Sequence, residues 1–500
     1  MADDLLIGVL QAAGRHSRRP ALTDGRGRTT TYGELADRVL GTAHRLRSRG
    51  FSPGSRMLFS VRPGPDAIVL ALGTVAAGGT VVFVDPGGGQ ELFTKRTELA
   101  GPAWVAAESL LYAASAPGPV RALARRRGVL LPDYTSLPVR YIRSGPWLPG
   151  VPLRSVSTRR LAKPVADAPV PDPRPDQDAV VVFTSGTTAE PKAVVHTRGS
   201  LAAALTVLAT RCELDQDSRV HTDQMMLGLP ALIAGAHWSM PPYGFAPAAE
   251  PTALAAGLEG ATHTFLVPSD LAAILDSGVT LPRSLRQVLL GSAPVLPPLL
   301  RRARAALPEV ELLAVYGMTE ILPVAIATAE EKLAHDGDLL GRPLPGVRAR
   351  VAEDGELVVS GPNLCRGYLG SPPLTEHATG DLARLEGDLI VLTGRKKDMI
   401  LRGGTNVYPG LYEPAITRLP GVADAVMIGV PDEIGDERIV LALVPTPDAG
   451  PELAARVRAS LPDLIDVYAL PDEVVVLPEL PLSGRTRKID RSALRTTLAL

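Results

Sequence analysis

Cysteine is scarce in this 500-residue sequence, which contains only Cys212 and Cys365. The two cysteines lie far apart, and no histidine stands at metal-ligand spacing from either of them. This scarcity argues against a disulfide framework and against a structural zinc site. Isolated thiols are typical of a reducing compartment, and we therefore expect a cytoplasmic protein.

Aromatic residues and net charge are also low. Aromatic side chains make up 4% of the sequence, and 52 basic against 53 acidic side chains give a formal net charge of −1. Binding of single-stranded nucleic acid needs aromatic side chains that stack on the bases, and this sequence has few of them. Binding of a duplex needs an excess of basic side chains, which this sequence also lacks. We therefore expect no nucleic-acid partner.

Long apolar runs are missing as well. No run reaches the roughly 18 residues that a membrane-spanning helix needs. Asp3 and Asp4 stand where a secretory signal would carry positive charge. We therefore expect neither a membrane span nor a cleaved leader.

The apolar residues form short runs separated by segments of helix length. Residues 57–61, 67–77 and 79–84 have the pattern of a strand, a helix and a strand, and β-branched runs recur at 179–183, 285–290 and 312–315. This alternation predicts an α/β fold with parallel-type sheets and covering helices. Thr31 and Glu34 have the spacing of a capping box, which predicts a helix start.

Other segments depart from this alternation. Residues 131–178 are rich in Pro, Ser and Arg, which predicts a long surface loop. Residues 347–360 alternate around Asp354-Gly355, which predicts a hairpin in a separate antiparallel β element. We place a domain boundary near Lys397. This boundary gives a large N-terminal domain with the β element at 1–396 and a small mobile α+β domain at 397–500.

The clearest motif follows the apolar run 180–183 and reads Thr-Ser-Gly-Thr-Thr-Ala-Glu-Pro-Lys at 184–192. Backbone N–H groups and hydroxyls in such a turn can wrap a polyphosphate, and Lys192 adds a point charge for a phosphate oxygen. The Walker pattern is absent. A polar surface turn is the alternative, but the preceding strand and the Pro-Lys ending favour a phosphate site.

This motif resembles the phosphate loop T-S-G-[ST]-T-G-x-P-K-G of the superfamily of acyl-CoA synthetases, firefly-type luciferases and nonribosomal-peptide adenylation domains. Ala189 and Ala193 replace two glycines of that pattern, and both are small enough that we expect anion binding to persist. The resemblance covers nearly the whole chain. Residues 319–325, 363–369 and 407–416 are similar to the olefin-pathway β-lactone synthetases and related ligases.

The resemblance implies ATP and Mg²⁺ as cofactors and suggests a role for each matching residue. Glu320 would hold magnesium, Lys397 would be a hinge, and Gly403-Gly404 would turn a loop toward a thiol tunnel. The implied catalytic residues are Thr184, Lys192, Glu320, Arg395 and Lys488. The implied nucleotide-binding residues are Thr184, Ser185, Gly186, Thr187, Thr188, Lys192, Gly291, Ser292, Ala293, Pro294, Tyr316, Gly317, Met318, Thr319, Asp381 and Arg395.

The implied reaction is attack of a carboxylate oxygen on the α-phosphorus of ATP, followed by transfer of the acyl group to the thiol of CoA or a carrier protein. The expected acid pocket contains Met225, Leu229, Gly291 and Met318. The aspartate that would hold an α-amino group is not evident, which disfavours an amino-acid substrate. His221 and His237 are interpreted as packing or surface residues.

Three alternatives stay open at this point. The activated acid could close on its own hydroxyl to form a β-lactone, or the enzyme could activate nitrite for diazotisation of an aromatic amine. A nucleotide-binding pseudoenzyme is disfavoured because Lys192, Glu320 and Lys488 are all present.

Overall fold

The computed structural model describes residues 3–86, 89–126, 131–185, 191–395, 399–407, 409–432, 435–483, 488–489 and 491–498. The helices in these ranges are α1 (Leu5–Arg15), α2 (Tyr32–Arg47), α3 (Pro65–Ala76), α4 (Gly89–Ala100), α5 (Ser109–Ser115), α6 (Pro119–Arg126), α7 (Thr158–Leu161), α8 (Arg198–Arg211), α9 (Met225–Ala234), α10 (Pro251–Gly257), α11 (Pro268–Ser277), α12 (Pro297–Ala306), α13 (Ala329–Ala334), α14 (Pro409–Thr417), α15 (Leu453–Ser460) and α16 (Arg491–Thr497).

The strands in the same ranges are β1 (Pro20–Thr23), β2 (Thr29–Thr31), β3 (Arg56–Ser60), β4 (Thr80–Phe83), β5 (Trp104–Glu108), β6 (Arg140–Ser144), β7 (Val156–Ser157), β8 (Asp178–Ser185), β9 (Pro191–Thr197), β10 (Arg219–His221), β11 (His237–Ser239), β12 (His263–Leu266), β13 (Gln287–Leu290), β14 (Glu311–Met318), β15 (Ile321–Thr328), β16 (Asp338–Pro343), β17 (Arg348–Val351), β18 (Glu356–Ser360), β19 (Gly367–Tyr368), β20 (His377–Glu386), β21 (Leu389–Arg395), β22 (Ile400–Arg402), β23 (Thr405–Val407), β24 (Val422–Pro431), β25 (Glu437–Pro445), β26 (Glu473–Val476), β27 (Leu482–Ser483) and β28 (Lys488–Ile489).

The larger sheet has the strand order β17-β18-β20-β21-β16-β15-β14-β13-β12-β10-β11-β1-β2. Its centre, from β14 to β1, is parallel. Every side chain of β12 and β13 is buried, as expected for strands covered on both faces. The hairpin at Asp354-Gly355 joins β17 to β18 as predicted. The antiparallel element is not separate, however, because β15 pairs with β16 and makes it continuous with the parallel strands.

The second sheet has the order β19-β9-β8-β4-β3-β5-β6-β7. The strand–helix–strand pattern at 57–84 corresponds to β3, α3 and β4, and β3 and β4 are parallel. The expected loop at 131–178 is wrong in part, because β6 and β7 extend this sheet. Only Ile142 of β6 is fully buried, so this strand near the sheet edge lacks the apolar run that would predict it.

The helices begin where local sequence favours it. Thr31 accepts from Glu34 N, and the Glu34 carboxylate accepts from Thr31 N, so the predicted capping box at α2 is confirmed.

The fold class predicted from the sequence is confirmed as well. No helix among the described residues is long and apolar enough to cross a membrane.

The C-terminal segment has a hydrophobic core of its own. The three-stranded sheet β24-β25-β26 packs with α14 and α15 around residues such as Ile416, Met427 and Leu441. The helices α14 and α15 and the strands β24 and β25 fit the α+β content that the sequence predicts for this segment. Lys397 lies outside the described residues, and the domain boundary there stays a prediction.

Candidate active site

A cleft of about 1590 Å³ opens at the carboxyl ends of the parallel strands of both sheets. Parallel strands end at the same edge, so loops that are distant in sequence meet there. From the larger sheet, Gly291 follows β13 and Tyr316 lies near the end of β14. From the second sheet, Asp85 follows β4 and Thr184 lies near the end of β8.

The structure brings most of the predicted nucleotide residues together in this cleft. Those that line it are Thr184, Lys192, Gly291, Ser292, Ala293, Pro294, Tyr316, Gly317, Met318, Thr319, Glu320 and Asp381. Of the others, Gly186, Thr187, Thr188 and Lys397 lie outside the described residues. The backbones of Ser185, Arg395 and Lys488 are described in strands, but their side chains are not. The roles predicted for these residues stay predictions.

Lys192 lies directly across the sheet from Thr184. The antiparallel pair β8 and β9 has Thr184 in register with Lys192 and Ser185 in register with Pro191. The described residues on both sides of 186–190 therefore meet at the cleft. Ala193 is buried in β9 and does not have a positive φ, so an alanine fits this position without strain.

Glu320 stands in the turn between β14 and β15, and its surroundings fix its position. The Tyr368 hydroxyl donates to Glu320 Oε1 at 3.0 Å, and the Cys365 N–H donates to the Glu320 carbonyl at 2.7 Å. The preceding Thr319 carbonyl lies 2.6 Å from Nε2 of the buried His196. A half-buried carboxylate that faces the cleft fits the oxygen-ligand preference of Mg²⁺.

Two of the predicted nucleotide-binding residues are neighbours across one antiparallel pair. Asp381 of β20 is in register with Arg395 of β21. The Tyr316 hydroxyl donates to Asp381 Oδ2 at 2.7 Å, and the Asp381 N–H donates to Thr379 Oγ1 at 3.1 Å. Gly380 has φ +79, a turn conformation that favours glycine. These bonds hold the Asp381 carboxylate against the hydroxyl of Tyr316, another predicted nucleotide-binding residue.

The structure places two of the four residues of the expected acid pocket, Gly291 and Met318, in the lining of the cleft. Met225 and Leu229 are not among the described residues that line the cleft, whereas their neighbour Met226 on α9 is. All three side chains of α9 pack against the main hydrophobic core. A Cβ at Gly291 would lie 3.2 Å from the Phe265 ring, so glycine allows this ring to pack close to the backbone.

The two histidines near this region take part in packing. His221 is buried, its Nδ1 lies 2.9 Å from Ser239 Oγ, and burial lowers its pKa to about 4. His237 Nε2 lies 2.7 Å from Thr23 Oγ1, and burial also lowers its pKa. Both contacts fit the packing role that was predicted for these side chains.

The loop between β22 and β23, together with the start of β23, enters the same cleft from the C-terminal segment. Gly404, Thr405 and Asn406 line it. Gly404 has φ +76, and a Cβ there would lie 2.8 Å from Val267 Cγ1 and 3.2 Å from Ser292 Cβ. The close approach of this loop to the larger sheet therefore requires glycine.

Several cleft residues were missed by the sequence analysis. Tyr368 lies within a segment that was noted only for its resemblance, and Met226 and Phe265 carried no signal beyond being apolar. Asp85 and Arg96 also line the cleft, where β4 and α4 of the second sheet reach it. Neither residue lies in a recognisable motif, so the sequence does not distinguish them from charged residues on the surface.

Comparison with known proteins identifies the family. The family model described as AMP-binding enzyme matches residues 9–369, and the model described as AMP-binding enzyme C-terminal domain matches residues 412–488. A probable nonribosomal peptide synthetase, CymA of Salinispora arenicola, is 32% identical over 67% of this chain, which spans only 5% of that relative.

Two other relatives match over nearly the full length. A salicyl-AMP ligase / salicyl-S-ArCP synthetase of Mycobacterium tuberculosis is 30% identical over 94% of this chain and 86% of its own. The amide bond synthetase McbA of Marinactinospora thermotolerans superposes with a TM-score of 0.81 at 25% identity, covering 99% of both chains. The β-lactone, nitrite and pseudoenzyme alternatives gain no support from these relatives. The chain belongs to the AMP-binding enzyme family and is an AMP-forming ligase.

Proposed function

We propose that this ligase adenylates an apolar carboxylic acid with ATP and Mg²⁺ and passes the acyl group to a thiol. The observation that carries the proposal is the convergence of Lys192, Glu320 and Asp381 in one cleft, although they are far apart in sequence. These side chains supply a cation, a metal ligand and a hydroxyl acceptor. A bound nucleoside triphosphate needs a cation for its phosphates, a ligand for its metal ion and an acceptor for its ribose hydroxyls.

The chemistry requires two anions to approach each other. A carboxylate oxygen attacks the α-phosphorus, and the bond to pyrophosphate breaks. We assign Lys192 and the Thr184 hydroxyl to the leaving pyrophosphate, and Lys488 to the attacking oxygens. Glu320 would hold Mg²⁺, which supplies positive charge to the phosphate oxygens when bound. Such preorganised charges stabilise the transition state more than the separated anions.

The wall of the cleft next to Gly291 suggests the class of acid. Phe265 packs next to Gly291, and Met226 and Met318 add apolar side chains to the lining of the cleft. The salicyl-AMP ligase relative acts on an aryl acid by its name. We therefore place a small aryl acid ahead of a long-chain acid as the substrate.

The approach of Gly404 supports the second step. Thioester formation needs a thiol to reach the acyl-AMP after the adenylating lysine has left. In this structure residues 404–406 line the cleft that the thiol would have to enter. CoA and a carrier-protein thiol are both acceptors of this chemistry. Lys397 remains our proposed hinge for the exchange between the two arrangements.

Acid-dependent exchange of pyrophosphate into ATP tests the first step. The panel should hold salicylate and other aryl acids, fatty acids, β-hydroxy acids and nitrite, followed by mass spectrometry of products with CoA, with an amine and with neither. Exchange with an aryl acid and a CoA thioester would support the proposal. An amide product would show that the acceptor is an amine. Exchange with nitrite and with no carboxylic acid would contradict the proposed acid substrate.

Replacing Gly404 by alanine separates the two steps. Because the added Cβ meets Val267 and the φ is positive, we expect thioester formation to slow by about tenfold while pyrophosphate exchange stays near wild type. Single-turnover transfer from preformed acyl-AMP to CoA measures the second step. Gly403→Ala is the matched control, since Gly403 has φ +54 but no atom within 4 Å of the added Cβ. Equal transfer rates in the two variants would contradict the role of the close approach.

A further inference from the structure

Tyr368 contacts both of the charged groups that the proposed mechanism uses in the phosphate region. Its hydroxyl donates to Glu320 Oε1 at 3.0 Å, and Lys192 Nζ lies 5.0 Å from the centroid of its ring. The side chain lines the cleft itself. We propose that Tyr368 is a positioning residue that presents Glu320 to the metal and Lys192 to the pyrophosphate. This inference rests on the proposed function.

The backbone around Tyr368 is tied to both partners. The strand β19 pairs with β9, with Tyr368 in register with Val194, two residues after Lys192. The Leu369 N–H donates to the Ala193 carbonyl at 2.8 Å. On the other side, the Cys365 N–H donates to the Glu320 carbonyl at 2.7 Å. The short strand therefore spaces the lysine strand and the glutamate turn at a fixed distance from one ring.

The hydroxyl and the ring do different work. A hydrogen bond to one carboxylate oxygen orients Glu320 and leaves its other oxygen for the metal, and such supporting bonds to a metal ligand strongly affect metal affinity. Lys192 is exposed, and its long flexible stem lets the ammonium group sample many positions. The face of an aromatic ring attracts an ammonium group and narrows the space it samples.

This division makes two variants informative. Tyr368→Phe keeps the ring and removes the bond to Glu320. We expect it to raise the Mg²⁺ concentration for half-maximal pyrophosphate exchange by about tenfold, with the KM for pyrophosphate unchanged. Tyr368→Leu removes both contacts, so we expect the same rise in the Mg²⁺ requirement and, in addition, a rise in the KM for pyrophosphate by a factor of about three to five.

The link to Lys192 is tested by a double-variant cycle. With Lys192→Ala in place, the ring has no cation to hold, so Tyr368→Phe and Tyr368→Leu should give the same KM for pyrophosphate. The matched controls are Tyr141→Phe and Tyr141→Leu, on β6 of the same sheet, where the hydroxyl bonds the Thr135 carbonyl at 2.9 Å. Both controls should keep the wild-type constants, and thermal unfolding of each variant reports whether it folds.

The outcomes separate the inference from the proposed function. If Lys192→Ala and Glu320→Gln leave exchange unchanged, the proposed roles of these residues fail. If those variants slow exchange but both Tyr368 variants keep the wild-type Mg²⁺ and pyrophosphate dependence, the positioning role is overturned. If the wild-type enzyme catalyses no pyrophosphate exchange with any acid of the panel, the proposed acid chemistry fails. Calorimetry of ATP binding with and without Mg²⁺ then decides the Tyr368 role, which is overturned if Tyr368→Phe binds Mg²⁺ATP like wild type.

Discussion

Replacing Lys488 by alanine is expected to lower acid-dependent pyrophosphate exchange by about 10²–10³-fold, because one preorganised donor to developing charge is lost. ATP binding should stay close to that of wild type, since Lys192, Glu320 and Asp381 remain in the cleft. Exchange kinetics measure the first effect, and calorimetry with ATP measures the second.

The same variant should still catalyse acyl transfer. In our proposal Lys488 leaves the site before a thiol enters, so preformed acyl-AMP should give thioester at nearly the wild-type rate. Lys163→Ala, at an exposed lysine outside the residues that line the cleft, is the matched control and should leave both steps unchanged. Normal exchange in Lys488→Ala would remove this lysine from the mechanism.

The parts of the site predicted from the sequence are those in which a short string carries the chemistry. Thr184 and Lys192 stand at the two ends of one nine-residue motif, and the pairing of β8 and β9 brings them together. Tyr316 and Glu320 lie within five residues of each other, so their joint presence in the cleft follows from local chain geometry. Predictions of this kind hold as long as the strand that precedes the motif is correctly predicted.

The acid pocket could not be predicted in the same way. The ten residues of α9 are all apolar or glycine, so helical periodicity does not select one face. Only the packing of the whole domain shows that Met226 lines the cleft, since Met225, Met226 and Leu229 all pack against the main hydrophobic core. Phe265 is likewise one of several buried residues on β12, and only the fold shows that its ring meets Gly291.

Contacts between distant segments escaped the sequence analysis for the same reason. Tyr368 lies 48 residues from Glu320, and neither position reveals the other as its partner. Asp4 was noted only as an acidic residue near the start of the sequence. In the structure it caps α1 and binds Arg198, which lies 194 residues away.

The ion pair between Asp4 and Arg198 is buried, with the two side chains 3% and 1% exposed. Arg198 Nε and Nη2 donate to Asp4 Oδ1 at 2.9 and 2.8 Å, and the Arg174 N–H donates to Oδ2 at 2.8 Å. Arg198 begins α8 directly after β9, the strand that carries Lys192. The pair thus fixes α1 against the base of the phosphate-loop strand.

Asp4→Ala is therefore expected to lower the free energy of unfolding of the N-terminal part of the chain by about 3–5 kcal/mol, because the Arg198 guanidinium is left buried without its partner. Urea unfolding followed by tryptophan fluorescence measures it, since all three tryptophans lie at or before Trp238. Asp217→Ala is the matched control: its ion pair with Arg19 is exposed and should contribute at most about 1 kcal/mol. A loss in Asp4→Ala no larger than in this control would show that the buried pair does not stabilise the fold. If the loss is large, the base of β9 depends on a contact made by the fourth residue of the sequence.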